Sequence, residues 1–167
     1  MIIHLKKFTL LLIAPFLLLS MTSKKNVDFS GEWKLNESKS DMGQFAPIVP
    51  LKIKAEQKVD ALAITKSSPG LDGGNDVTAS ETLGFDGKQV ESKVAPGNSK
   101  RTASAKWSDD GQTLTITYVL NLDFNGQATE IKGTEAWTLG EGGKSLVSQN
   151  NSSSSFGEMQ AKGVYDK

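Results

Sequence analysis

Leu114–Phe124 reads LTITYVLNLDF. Leu114, Ile116, Tyr118, Leu120, Leu122 and Phe124 fall on one side of an extended chain, with Thr115, Thr117, Asn121 and Asp123 on the other. Strand side chains alternate between two faces, whereas a helix would need apolar residues three and four apart. The stretch therefore predicts a β-strand with one buried face.

The same period recurs outward from it. Glu130–Leu139, EIKGTEAWTL, places Ile131, Gly133, Glu135, Trp137 and Leu139 together. Pro50–Gln57, PLKIKAEQ, sets Leu51, Ile53 and Ala55 against Lys52, Lys54 and Glu56. Between such runs lie Asp86-Gly87, Asp109-Asp110-Gly111, Asn125-Gly126 and Glu141-Gly142-Gly143. Asp-Gly and Asn-Gly mark hairpins, because tight two-residue turns need positive φ at their central positions. About ten strands result, near 31–36, 50–58, 61–67, 77–85, 88–94, 100–107, 112–124, 127–139, 144–152 and 156–166. A meander of that many one-sided strands removes its exposed edges by closing. The predicted fold is all-β, an up-and-down antiparallel barrel of about eight to ten strands, with a two-sheet sandwich as the alternative.

Two stretches echo each other, KWSDDGQTLTI at Lys106–Ile116 and AWTLGEGGKSLV at Ala136–Val147. Each carries a Trp, an acidic-glycine run, then Thr or Ser and Leu. A hairpin explains both: the Trp ends one strand, the glycine turns the chain, and the Leu opens the next. Asp109 and Asp110 are adjacent, so their side chains diverge, whereas a calcium loop needs several carboxylates converging. Gly70–Asp76, with Asp72, Asn75 and Asp76, comes closer to a calcium loop but is read as a solvated connection. Asn36–Pro50 is expected to hold one short helical turn, and the polar Gln149–Glu158 a loosely paired strand end and a loop.

The chain has 167 residues, within the range of one domain. Its start is expected to be a signal peptide over 1–23. Lys6 and Lys7 precede the apolar Phe8–Leu19, which is too short to span a bilayer. Cleavage is expected near Ser20–Ser23, with an uncleaved anchor as the alternative, leaving one domain over 24–167 in the periplasm or outside the cell, with no transmembrane span after signal removal. Without residues 1–23 the chain holds 17 basic and 19 acidic residues, a balance that argues against nucleic acid as a partner. There is no Cys, and the only His is His4, inside the expected signal. The mature chain thus lacks an imidazole base and any His or Cys ligand for zinc. No enzyme activity, cofactor or metal is expected.

Polar residues on apolar faces are the site candidates. Arg101 is the only arginine and alternates with Ala103, Ala105 and Trp107. Three readings stand for it: a strand end reaching solvent, an internal Arg–Glu pair, or a ligand clamp, since the guanidinium fork suits a carboxylate. Glu81 lies beside Leu83 and Phe85, and Glu135 beside Ile131 and Trp137. Tyr118 is mid-strand among Leu and Ile. Glu81 and Glu135 are also the pair that a carboxylate-based enzyme would require about 5–10 Å apart.

Phe29–Leu35, FSGEWKL, resembles the first strand of the calycins, the lipocalins and fatty-acid-binding proteins. Lys106–Thr113, KWSDDGQT, resembles a Lys-Trp-Asp-Gly-Gln hairpin of the fatty-acid-binding proteins, and the terminal GVYDK, Gly163–Lys167, their closing Arg-x-Tyr-Glu-Lys. The chain is also similar to small secreted bacterial proteins built from SGTWKLN and DGKTL elements. The resemblance implies a lipocalin-like barrel with Gly31 and Trp33 structural, the Trp plugging the closed end. Trp107 and Trp137 are expected in the core. Tyr165 matches the tyrosine that, with an arginine two positions earlier, holds a fatty-acid carboxylate. That arginine position is Gly163 here, and Arg101 is expected to replace it in one interior site with Tyr165. The expected function is binding of a small apolar or amphipathic ligand, through Arg101, Tyr165, Tyr118, Glu81 and Glu135. The alternative is a filled barrel serving as an envelope or surface interaction module.

Overall fold

The computed structural model describes residues 25–43, 49–70, 74–94, 99–124 and 127–167. The expected signal peptide and Asp72 of the weighed calcium loop lie outside them.

The ten strands are β1 (Gly31–Leu35), β2 (Lys52–Gln57), β3 (Ala61–Ser68), β4 (Val77–Gly84), β5 (Val90–Lys93), β6 (Lys100–Trp107), β7 (Leu114–Phe124), β8 (Gln127–Gly140), β9 (Ser145–Ser154) and β10 (Gly157–Asp166). They form one antiparallel sheet in the order β4-β3-β2-β1-β10-β9-β8-β7-β6-β5. The first and last strands are neighbours, with Leu35 opposite Tyr165, as a barrel requires. Closure is nearly complete. β4 and β5 follow each other in sequence but share no ladder, so one seam runs between them. The expected helical turn after β1 is a single 3-10 turn, Glu37–Lys39, capped by the Asn36 side chain.

Two of the expected hairpins form, β6–β7 around Gly111 and β8–β9 around Gly142-Gly143. Asp86-Gly87 turns the chain between β4 and β5 without joining them in a ladder, and Asn125-Gly126 lies outside the described residues. At Gly111 (φ +68) a Cβ would also come within 2.7 Å of Asn26. Glycine is needed there for conformation and for close approach. The serine run departs from expectation. Ser152 and Ser153 pair with Gly133 and Lys132 of β8, and Ser154 pairs with Gly157 of β10. Ladder bonds come from the backbone, so two flanking strands hold a polar segment extended.

One end of the barrel is packed solid. Residues 27–29 cross it: Val27 N donates to Gly111 O (3.0 Å), and Gln57 accepts from Phe29 N (3.1 Å) and donates to Val27 O (2.8 Å). Phe29 stacks on Trp107 at 5.5 Å and meets Trp137 edge-on at 5.7 Å. Trp33 is buried and donates from Nε1 to Phe29 O (2.9 Å). Gly31 beside it has φ +147, and a Cβ there would press on Lys167 at 3.3 Å. Leu62, Leu83, Leu114 and Leu146 complete this floor.

Candidate functional site

The inward-facing rows change character along the barrel axis. On β7, Leu114, Ile116 and Tyr118 are buried, then Leu120 and Leu122 half-buried. On β8, Trp137 and Glu135 are buried, then Gly133 and Ile131 half-buried. β9 passes from Leu146 and Ser148 to Asn150 and Ser152, and β10 from Tyr165 and Gly163 to Ala161 and Met159, in the same sense. Four neighbouring strands thus grade from the packed floor toward a looser opposite end.

A charged layer sits at this transition. Glu135, on β8, is almost wholly buried. Lys66 Nζ of β3 donates to both its oxygens, at 2.8 and 2.6 Å. Trp137 Nε1 and Ser148 Oγ donate to Oε1 at 2.7 and 2.9 Å. Burial alone would raise the Glu135 pKa. The charges of Lys66 and Arg101, and the hydrogen bonds from Lys66 and Trp137, outweigh it and hold the carboxyl at about 2. Glu135 is therefore ionised at neutral pH.

The second pair crosses the seam. Arg101 on β6 reaches both carboxylate oxygens of Glu81 on β4 through NH1. Their side chains are only 12% and 10% exposed. The guanidinium lies 4.7 Å from the Tyr118 ring centroid, and the Tyr118 hydroxyl donates to Asn150 Oδ1 at 2.9 Å. Burial, foremost, raises the Tyr118 pKa. Of the three readings of Arg101, the internal Arg–Glu pair is the one seen. A pocket of about 60 Å³ opens against this pair, lined by Ile64 and Lys66 of β3, Ala79 and Glu81 of β4, Ser92 and Val94 on and after β5, and Arg101.

Tyr165 lies deeper, 1% exposed. Burial first, and then the Glu135 carboxylate, push its phenol up. Its hydroxyl makes no hydrogen bond among the described residues. Arg101 and Tyr165 both face inward, but no hydrogen bond joins them; Arg101 belongs with Glu81 and Tyr118, Tyr165 with Glu135. Gly163 has a local reason to be glycine. A Cβ there would come within 2.7 Å of the Tyr165 ring, so this packing excludes an arginine.

Arg101, Glu81, Tyr118 and Glu135 are thus brought into one layer, and Gly31, Trp33, Trp107 and Trp137 into the floor or its margin. Sequence reasoning missed Lys66, Ser148 and Asn150. For Lys66 the signal was present: it alternates with the apolar Leu62 and Ile64, and so had to face inward.

The nearly closed ten-stranded barrel is compatible with a calycin-like fold. No family model, curated protein or solved structure matches the chain.

Proposed function

We propose that the chain is an exported binding protein whose barrel takes up one small amphipathic molecule. The carrying observation is the graded interior. Below the charged layer Leu62, Leu83, Leu114, Trp137 and Leu146 are fully buried, with half-buried Leu35, Phe85, Trp107 and Leu139 packed at the margin. Above it Leu120, Leu122, Ile131 and Met159 are only half-buried. Apolar side chains left part-exposed around a few convergent polar groups are the usual makeup of a ligand site. In this reading the apolar part of the ligand lies against those four residues and its polar end meets the layer of Lys66, Glu81, Arg101 and Glu135.

The carboxylates do not favour an enzyme. Glycoside hydrolysis needs one acid held protonated near neutral pH. Glu135 is held ionised instead, and Glu81 is committed to Arg101.

The second reading, a filled barrel that works through its outer surface, is favoured by the small size of the pocket beside Arg101, about 60 Å³. Native mass spectrometry of the protein purified from its own host, together with titration of the uncharged dye Nile red, separates the two. Co-purified mass or saturable dye fluorescence supports the binding protein. A bare mass with no saturable dye signal supports the filled barrel.

A further inference from the structure

Each cation of the interior layer already has its own carboxylate. Lys66 Nζ sits on both oxygens of Glu135, and Arg101 on both oxygens of Glu81. Two positive and two negative charges leave the layer neutral. Both pairs are mostly withdrawn from water, with Lys66 the most exposed member at 19%. Charges in such surroundings are weakly screened and costly to leave unmatched.

Consider a ligand that places a polar group in the pocket beside Ser92, Glu81 and Arg101. An anionic group could use Arg101 only by displacing Glu81, and would leave that carboxylate buried without its partner. A cationic group could use Glu81 only by displacing Arg101. An uncharged hydroxyl or amide can instead accept from donors and donate to oxygens already in place, breaking neither pair. The pocket volume, about 60 Å³, suits a group of that size, equal to a few water molecules.

We infer that the barrel selects a ligand with an uncharged hydrogen-bonding head group, such as an alcohol or amide, and that Glu81 is the residue that excludes anions by occupying Arg101. The inference rests on the binding reading above. It opposes the expectation drawn from the closing tyrosine, that the site clamps a fatty-acid carboxylate.

The test measures displacement of Nile red by decan-1-ol, decanoate and decylammonium, all below their aggregation concentrations. The wild-type protein is expected to bind the alcohol at least tenfold more tightly than either ion. Because any apolar site disfavours ions, the variants carry the decision. Glu81→Gln frees the guanidinium, and should shift the decanoate-to-decanol affinity ratio toward decanoate by tenfold or more. Arg101→Gln leaves Glu81 unmatched, and should shift selectivity the other way, toward decylammonium. The opposite signs keep the inference testable if one variant fails to fold. Wild-type preference for decanoate, or ratios that neither folded variant moves, overturns the inference while leaving the binding reading standing. Absence of saturable Nile red binding overturns both.

Discussion

Lys66 and Glu135 lie 69 residues apart in sequence and meet inside the barrel, the ammonium 2.6 and 2.8 Å from the two carboxylate oxygens. β3 and β8 are five places apart in the strand order, so the ion pair links opposite walls across the interior. Trp137 and Ser148 complete the hydrogen bonding of the carboxylate from its own side.

Removing one partner should therefore cost far more than removing both. Lys66→Met leaves Glu135 buried with the Trp137 and Ser148 hydrogen bonds but without its cation. A loss of about 3 kcal/mol in unfolding free energy is expected, the scale for a broken buried pair. The double variant Lys66→Met, Glu135→Leu should recover more than half of it, because the orphaned charge is gone. Urea unfolding of both proteins checks this; a single-variant loss under about 1 kcal/mol would contradict the strut.

The same carboxylate makes stability depend on acidity. Its folded pKa of about 2 lies below the ordinary value of 4.5. The native state binds its proton less readily than the unfolded chain does. The stabilisation is therefore complete above about pH 4.5 and is lost as pH falls toward 2, a total of about 3 kcal/mol. Unfolding free energies at pH 7, 4 and 2.5 should fall more steeply for wild type than for Glu135→Gln. Parallel slopes would remove Glu135 as the source.

Two interior glycines hold space for tyrosine rings. A Cβ at Gly163 would meet Tyr165 Cε2 at 2.7 Å, and one at Gly133 would meet Tyr118 Cζ at 2.7 Å and Ser152 Cβ at 2.8 Å. Gly163→Ala and Gly133→Ala should each destabilise by about 1–3 kcal/mol through overpacking. Gly163→Arg should cost more and should not create a fatty-acid clamp. Thermal unfolding reads the first result and decanoate titration the second; a stable Gly163→Arg protein with gained decanoate affinity would refute the packing argument.

Trp33 fixes the plug through one hydrogen bond. Trp33→Phe keeps a ring in the floor but leaves Phe29 O without the Nε1 donor. A loss of about 1–3 kcal/mol is expected for the unsatisfied carbonyl and the smaller ring. Hydrogen exchange should also rise at Val27 and Phe29, whose amide bonds tie the plug to Gly111 and Gln57. Unchanged exchange there would detach Trp33 from the plug.

The sequence by itself determined the strands, their order of inward and outward residues, and most of the turns. These are local properties: alternation assigns a face, and Asp-Gly assigns a reversal, without knowledge of any distant residue. On that basis Arg101, Glu81, Tyr118 and Glu135 were legible as inward polar groups, and Lys66 was equally legible by its place beside Leu62 and Ile64. The serine run was misjudged because its order comes from β8 and β10 on either side, which no feature of Gln149–Glu158 announces. Only the tertiary structure decided which charge meets which. Parity says that a side chain enters the barrel, but the opposite wall it faces depends on how the sheet closes and on the depth of each strand. Closure set Lys66 against Glu135, the unpaired seam let Arg101 cross from β6 to Glu81 on β4, and the Tyr165 ring took the space that an arginine at position 163 would need.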